Sequence, residues 1–90
     1  MPTAMPRYYF PTWQADRRIQ DDEGVELATT GEALVLAAQS LGDLARDLLF
    51  GAAETGLAMG VDVVRADGVV LARLRLDYRL ERTDPDARAS

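Results

Sequence analysis

The sequence predicts an α+β domain with the order ββαββ: two hairpins forming an antiparallel sheet, with one long helix packed on one face. Three observations carry that expectation. Asp67-Gly68 stands between two apolar runs, residues 61–65 and 69–78, and Asp-Gly in that setting is a strong hairpin signal. Leu34, Ala37 or Ala38, Leu41, Leu44 or Ala45, and Leu48 recur at steps of three and four, the period of a helix with one buried face. The aromatic stretch at 7–13, "RYYFPTW", favours a strand ahead of that helix. A helix between strand pairs packs most simply across one face of their common sheet.

Along the chain, Pro11 lacks a backbone donor. The first strand is therefore expected to lie at an edge, to end near Pro11 or to bulge there. Residues 17–20 form the second strand, reached through a loop at 12–16. Asp21, Asp22, Glu23 and Gly24 read as a solvated turn. Aspartates start turns through side-chain bonds to nearby amides, and Gly24 supplies a positive φ. Residues 25–27 are a brief extended piece. Thr29 and Glu32 fit a capping box that opens a helix from about Gly31 to Phe50, and the acid suits the helix's positive end. Gly51 is expected just past the helix, followed by a flexible linker over 51–60. Residues 61–65 form a strand, Asp67 and Gly68 turn the chain, and 69–78 return. On the returning strand Val70, Ala72, Leu74, Leu76 and Tyr78 share one face. Arg73, Arg75 and Asp77 occupy the other, behind Val69 and Leu71. The domain is expected over 5–78, with an extension at 1–4 and a polar tail at 79–90.

Composition narrows the function. Ninety residues make one domain with a small core, and such domains often gain burial by pairing with a copy. The net charge of −5 disfavours duplex nucleic acid and membrane surfaces, both of which call for clustered cations. The chain has no cysteine, which removes disulfides, thiolate nucleophiles and thiolate metal sites. It has no histidine, the commonest general base and transition-metal ligand. No enzymatic activity and no cofactor are expected. The first 20 residues lack a signal-like apolar run. The most apolar region, 33–53, is interrupted by Gln39, Asp43, Arg46 and Asp47 and is too polar to cross a bilayer. The expected location is the cytoplasm.

Met5 to Phe10, "MPRYYF", followed by "DDEGVEL" at 21–27, a long helix, and "VDVVRADGVVLARLRL" at 61–76, resembles the DUF6894 family. These are small alphaproteobacterial proteins that typically open M-P-R-Y-(Y/F)-F. They continue with a D-x-x-G-x-E-L/F turn, an Ala- and Leu-rich helix and a V-x-D-x-x-G-x-x-L hairpin. The likeness covers about residues 5–78 and implies that Met5 is the family's start. Many members carry His or Asp where this chain has Pro11, and their closing V-P-F is replaced by Leu74-Arg75-Leu76. The family brings no established function with it.

Four groups of residues could carry function. Asp21-Asp22-Glu23 could suit a hard cation, but the spacing is not that of a calcium loop, and a charged turn accounts for it. Tyr8, Tyr9, Phe10 and Trp13 with Arg7, Arg17 and Arg18 could stack bases, although strand packing explains the aromatics more simply. Arg65, Arg73 and Arg75 could hold an anion or pair with acids of the sheet or of a neighbouring subunit. Val35, Leu36 and Leu49 widen the helix's apolar arc beyond what one sheet covers, which points to an interface. The expectation is a homodimeric interaction or regulatory module without enzymatic activity, with an unidentified protein partner as a further option. Its interface candidates are Val35, Leu36, Leu49, Val69, Leu71, Arg73 and Arg75. The alternative is a nucleic-acid-associated or antitoxin-like regulator that acts with a partner protein.

Overall fold

The computed structural model describes residues 5–51 and 56–85. The sheet is built from β1 (Arg7–Tyr9), β2 (Thr12–Gln14), β3 (Arg17–Ile19), β4 (Val25–Glu26), β5 (Gly56–Arg65) and β6 (Val70–Arg79), with the helix α1 (Thr30–Gly51) between β4 and β5. All pairings are antiparallel. β5 is the central strand. β6 lines one of its edges, and β1 and β2 follow one another along the other edge, with β4 and β3 outside them. The architecture is α+β, an antiparallel sheet with one helix: four short strands precede α1 and one long hairpin follows it, so the expected ββαββ order holds only roughly.

β1 and β2 are one strand interrupted at Pro11. Tyr9 stands opposite Val64 and Thr12 opposite Val61, so the register runs unchanged through the break and sets Pro11 opposite Asp62. The Asp62 amide donates to the Pro11 carbonyl at 2.9 Å, but Pro11 has no N–H to return the bond. Of the three expectations, an edge position, an end near Pro11 or a bulge, the structure shows the second: β1 ends at Tyr9, just before Pro11, and lies inside the sheet. One missing ladder bond is tolerated because the rest of the pairing holds the register. The chain continues into β2 in place of the expected loop, and β2 and β3 turn at Ala15, which adopts a positive φ of 54°.

At the helix start, the Thr29 hydroxyl accepts the Glu32 amide at 3.1 Å, while the Glu32 carboxylate reaches back to the Ala28 amide at 3.0 Å. That is a capping box displaced by one residue on its return arm. Among the described residues of α1 the buried ones are Ala33, Ala37 and Ala45. Ala33 and Ala37 meet Tyr8, Val61 and Val63, with Phe10, Leu27, Leu41, Leu71, Ala72 and Leu74 packed around them. Leu34, expected in the buried stripe, is 40% exposed, because the helix rests on its alanines instead. Small side chains at the contact let helix and sheet backbones approach closely.

Two boundaries differ from expectation. Gly51 belongs to the helix, and β5 begins at Gly56 rather than at 61. The remainder of the expected linker, 52–55, lies outside the described residues, as do 1–4 and 86–90. On β6 the register shifts at Val63/Val64: Ala72 faces Val63 but Val70 faces Val64. Leu71 is the extra residue of this bulge. It packs against the core, so it does not join Arg73 and Arg75 on the outer face as strict alternation requires.

Candidate interaction surface

α1 covers one face of β5 and β6. The residues of β5 that alternate with Val61 and Val63 point to the other face, and register brings specific side chains beside them. Trp13 and Arg75 flank Gly60, Arg73 flanks Asp62, and Arg18 is across from Trp13. Arg79 follows in the same phase, opposite Gly56. In a chain of net charge −5, four arginines gather on this open face.

Gly60 has a steric role here. A Cβ at Gly60 would lie 2.4 Å from the Trp13 ring and 2.6 Å from the Leu74 carbonyl. The indole therefore lies on the bare backbone of Gly60, and the Arg75 guanidinium sits 5.5 Å from its ring centroid. A cation in that position is drawn by the ring quadrupole.

Asp62 is 2% exposed, the one buried charged residue among those described. Its Oδ2 accepts from Arg18 Nη1 at 3.3 Å. Its Oδ1 has no hydrogen-bond partner, and the Arg73 Nε stands 3.7 Å away. The carboxylate is thus held between two guanidiniums whose side chains are 45% and 70% exposed. Reading the residues one by one misses this group, because an acid inside an apolar run looks like a solvated strand position. Counting back from the Asp67-Gly68 turn sets Asp62 against Ala72, and only the bulge at Leu71 brings Arg73 opposite it.

The acidic turn has a structural job. Asp21 Oδ1 accepts the amides of Glu23 and Gly24 at 3.1 Å each, and Oδ2 accepts the Phe10 amide at 2.9 Å. Asp21 thereby stands in for a strand between β3 and β4, and it is half-buried rather than solvated; Asp22 and Glu23 are exposed. Gly24 has φ 69°, and a Cβ there would lie 2.8 Å from the Tyr8 carbonyl. Partial burial pushes the Asp21 carboxyl up, but the bonds from Phe10, Gly24 and Glu23 outweigh it and hold the group below its ordinary value of 3.8. Its stabilising contribution is complete above that ordinary value and is lost as the pH falls through the lower folded one. Asp21→Asn is expected to cost about 1–2 kcal/mol at pH 7 and Asp22→Asn less than about 0.5. The gap between wild type and Asp21→Asn should narrow in urea titrations below pH 4. A gap that stays constant down to pH 2.5 would show that the carboxylate charge is not what matters.

In the second hairpin, Asp67 accepts from Arg65 through both oxygens, at 2.9 and 2.7 Å, and from the Val69 amide at 3.2 Å. The Arg65 bonds hold its carboxyl at about 2. Gly68 completes the turn with φ 90°. Beside it, Tyr9, Pro11, Arg18, Gln20, Asp21 and Arg65 line a shallow depression of about 220 Å³.

The remaining sequence candidates are dispersed. Val35 is 59% exposed, Leu49 and Val69 are exposed and Leu36 is half-buried. Of the four aromatics, Tyr8 is buried under α1 and Phe10 packs against that core, so only Tyr9 and Trp13 are left for the other face. Arg17 lies on the opposite face from Arg18 by alternation. Among the described residues no group of three carboxylates could hold a metal ion, and no helix is long and apolar enough to cross a membrane.

Comparison with known families adds a match over most of the chain. The family model of a domain of unknown function, DUF6894, aligns with residues 7–77, close to the 5–78 span that carries the motifs. No curated protein and no solved structure matches.

Proposed function

We propose that the chain, which belongs to the DUF6894 family of unknown function, is a non-enzymatic interaction or regulatory module that acts as a homodimer in the cytoplasm. One observation carries the proposal. Among the described residues the buried apolar set is Tyr8, Ala33, Ala37, Ala45, Met59, Val61 and Val63, of which three are alanine. Outside it, Met5, Ile19, Val25, Leu34, Val35, Leu49, Val69, Val70, Leu76 and Leu80 are each 38% exposed or more. Among the described residues ten large apolar side chains are exposed, against four that are buried. Each such residue contributes about 1.5–3 kcal/mol when fully buried, so pairing is the readiest source of missing stability. The absence of His and Cys supports the non-enzymatic part.

Sedimentation equilibrium should show a dimer near twice 9.9 kDa at micromolar concentration, retained in 0.5 M salt. A monomer at 100 µM would overturn the proposal. The open face, with Arg18, Arg73, Arg75, Arg79 and Trp13, favours as a second reading a nucleic-acid-associated regulator. That reading requires retention on heparin that weakens steeply with salt.

A further inference from the structure

The two edges of the sheet are unlike. One edge is broken into β3 and β4, of three and two residues. The other is β6, ten residues long, paired among the described residues with β5 alone. Short, interrupted strands blunt an edge, whereas a long continuous one offers a row of unpaired amides and carbonyls as a template for another strand. β6 has no proline, and its bulge at Leu71 lies near one end.

The sequence of that edge is self-complementary. Arg73-Leu74-Arg75-Leu76-Asp77 laid antiparallel against itself with Arg75 on the axis puts Arg73 opposite Asp77 and Leu74 opposite Leu76, each twice. Moving the axis to Leu74 sets Arg73 against Arg75 twice, and moving it to Leu76 pairs Arg75 with Asp77 but sets Arg73 against Arg79 twice. Opposite charges facing across strands stabilise a pair and like charges oppose it. Repulsion in the central Arg75 pair is reduced, because each guanidinium leans over the Trp13 ring and donates to Asp77 of its own chain at 3.3 Å, whose carboxylate would be shared with Arg73 across the axis. We infer that a second copy of this chain pairs with the first β6 to β6, antiparallel, about a two-fold axis at Arg75. This rests on the homodimer reading above and gives it a surface and a register.

The axis stands normal to the sheet, so both helices lie on the same face. Leu76, now 38% exposed, would face Leu74 of the other copy in the gap between them. On the open face Arg73 would lie between Asp62 of its own strand pair and Asp77 across the axis, which extends the row of alternating charges from one copy into the next. An isologous contact of this kind closes at two copies, and the short β3 and β4 leave no comparable edge for further growth.

The chain has no cysteine, so single cysteine variants report position cleanly. Arg75→Cys should cross-link to itself with a short bis-maleimide at micromolar protein, and Val35→Cys should not. Asp77→Arg, at a side chain 66% exposed whose bond to its own Arg75 is an exposed one at 3.3 Å, should weaken the dimer at least tenfold by sedimentation while the circular dichroism spectrum stays that of the wild type. A dimer in which the Val35→Cys variant cross-links, or neither variant does, or that ignores Asp77→Arg, would overturn the edge pairing and leave the homodimer standing. A monomer at 100 µM would remove both.

Discussion

Gly60→Ala is expected to lower stability by about 3 kcal/mol, the upper end of the ordinary cost of overpacking. The new methyl would meet the Trp13 ring at 2.4 Å and the Leu74 carbonyl at 2.6 Å. Neither neighbour yields easily. The carbonyl belongs to the β5–β6 ladder, and the indole is sandwiched between Gly60 and Arg75. In a domain of this size such a loss corresponds to a fall in Tm of about 12–24 °C. Thermal unfolding by circular dichroism measures it directly. Trp13→Ala in the Gly60→Ala background should recover only part of the loss, because it frees the ring contact and leaves the carbonyl contact. A fall below about 2 °C would mean that the indole is not seated on the strand.

The same glycine shows why part of this fold escapes the sequence. The helix is readable because its apolar period and its Thr29–Glu32 cap are local, and the second turn because Asp67-Gly68 allows few conformations. The start of β5 is not. Gly56, Ala58 and Gly60 have low strand propensity, and their strand state is imposed by β6, with β2 on the other side at Gly60. Tertiary pairing outweighs propensity there, and Gly60 is useful for the side chain it lacks. Leu71 departs from its expected face for a related reason: a bulge shifts the alternation by one residue, and nothing in an all-apolar run marks where. Pro11 suggests an edge because its missing donor is a local fact, while the ladder that tolerates it is built from distant residues. The candidate surface divides in the same way. Its arginines are visible in the sequence, but the acid that organises them is not, because burial of Asp62 depends on strands 44 residues apart in the chain.

Asp62 leads to the second large effect. Removing one partner of a buried ion pair usually costs about 3–5 kcal/mol, because a charge is left buried without compensation. Here the cost should be shared. Arg18 and Arg73 flank the same carboxylate, their side chains are 45% and 70% exposed, and water screens both. Arg18→Ala or Arg73→Ala alone is expected to cost about 1 kcal/mol, since the remaining guanidinium can shift toward the acid. Removing both should cost about 3 kcal/mol, more than the sum of the two singles. The orphaned Oδ1 predicts an asymmetry within the pair. Arg18 donates to Oδ2, whereas Arg73 stands 3.7 Å from Oδ1 without a hydrogen bond, so Arg18→Ala should be the costlier single change. Adding Asp62→Asn to the doubly substituted chain should return most of the lost stability, because it removes the stranded charge while keeping the shape. Urea unfolding of the wild type, the singles, the double and the triple variant at pH 7 tests each step, provided the m-value stays constant across the set. Strictly additive losses, or an Asp62→Asn change that restores nothing, would mean that the carboxylate is stabilised by its burial site rather than by the two arginines. The open face would then lack the charged centre around which its arginines are arranged.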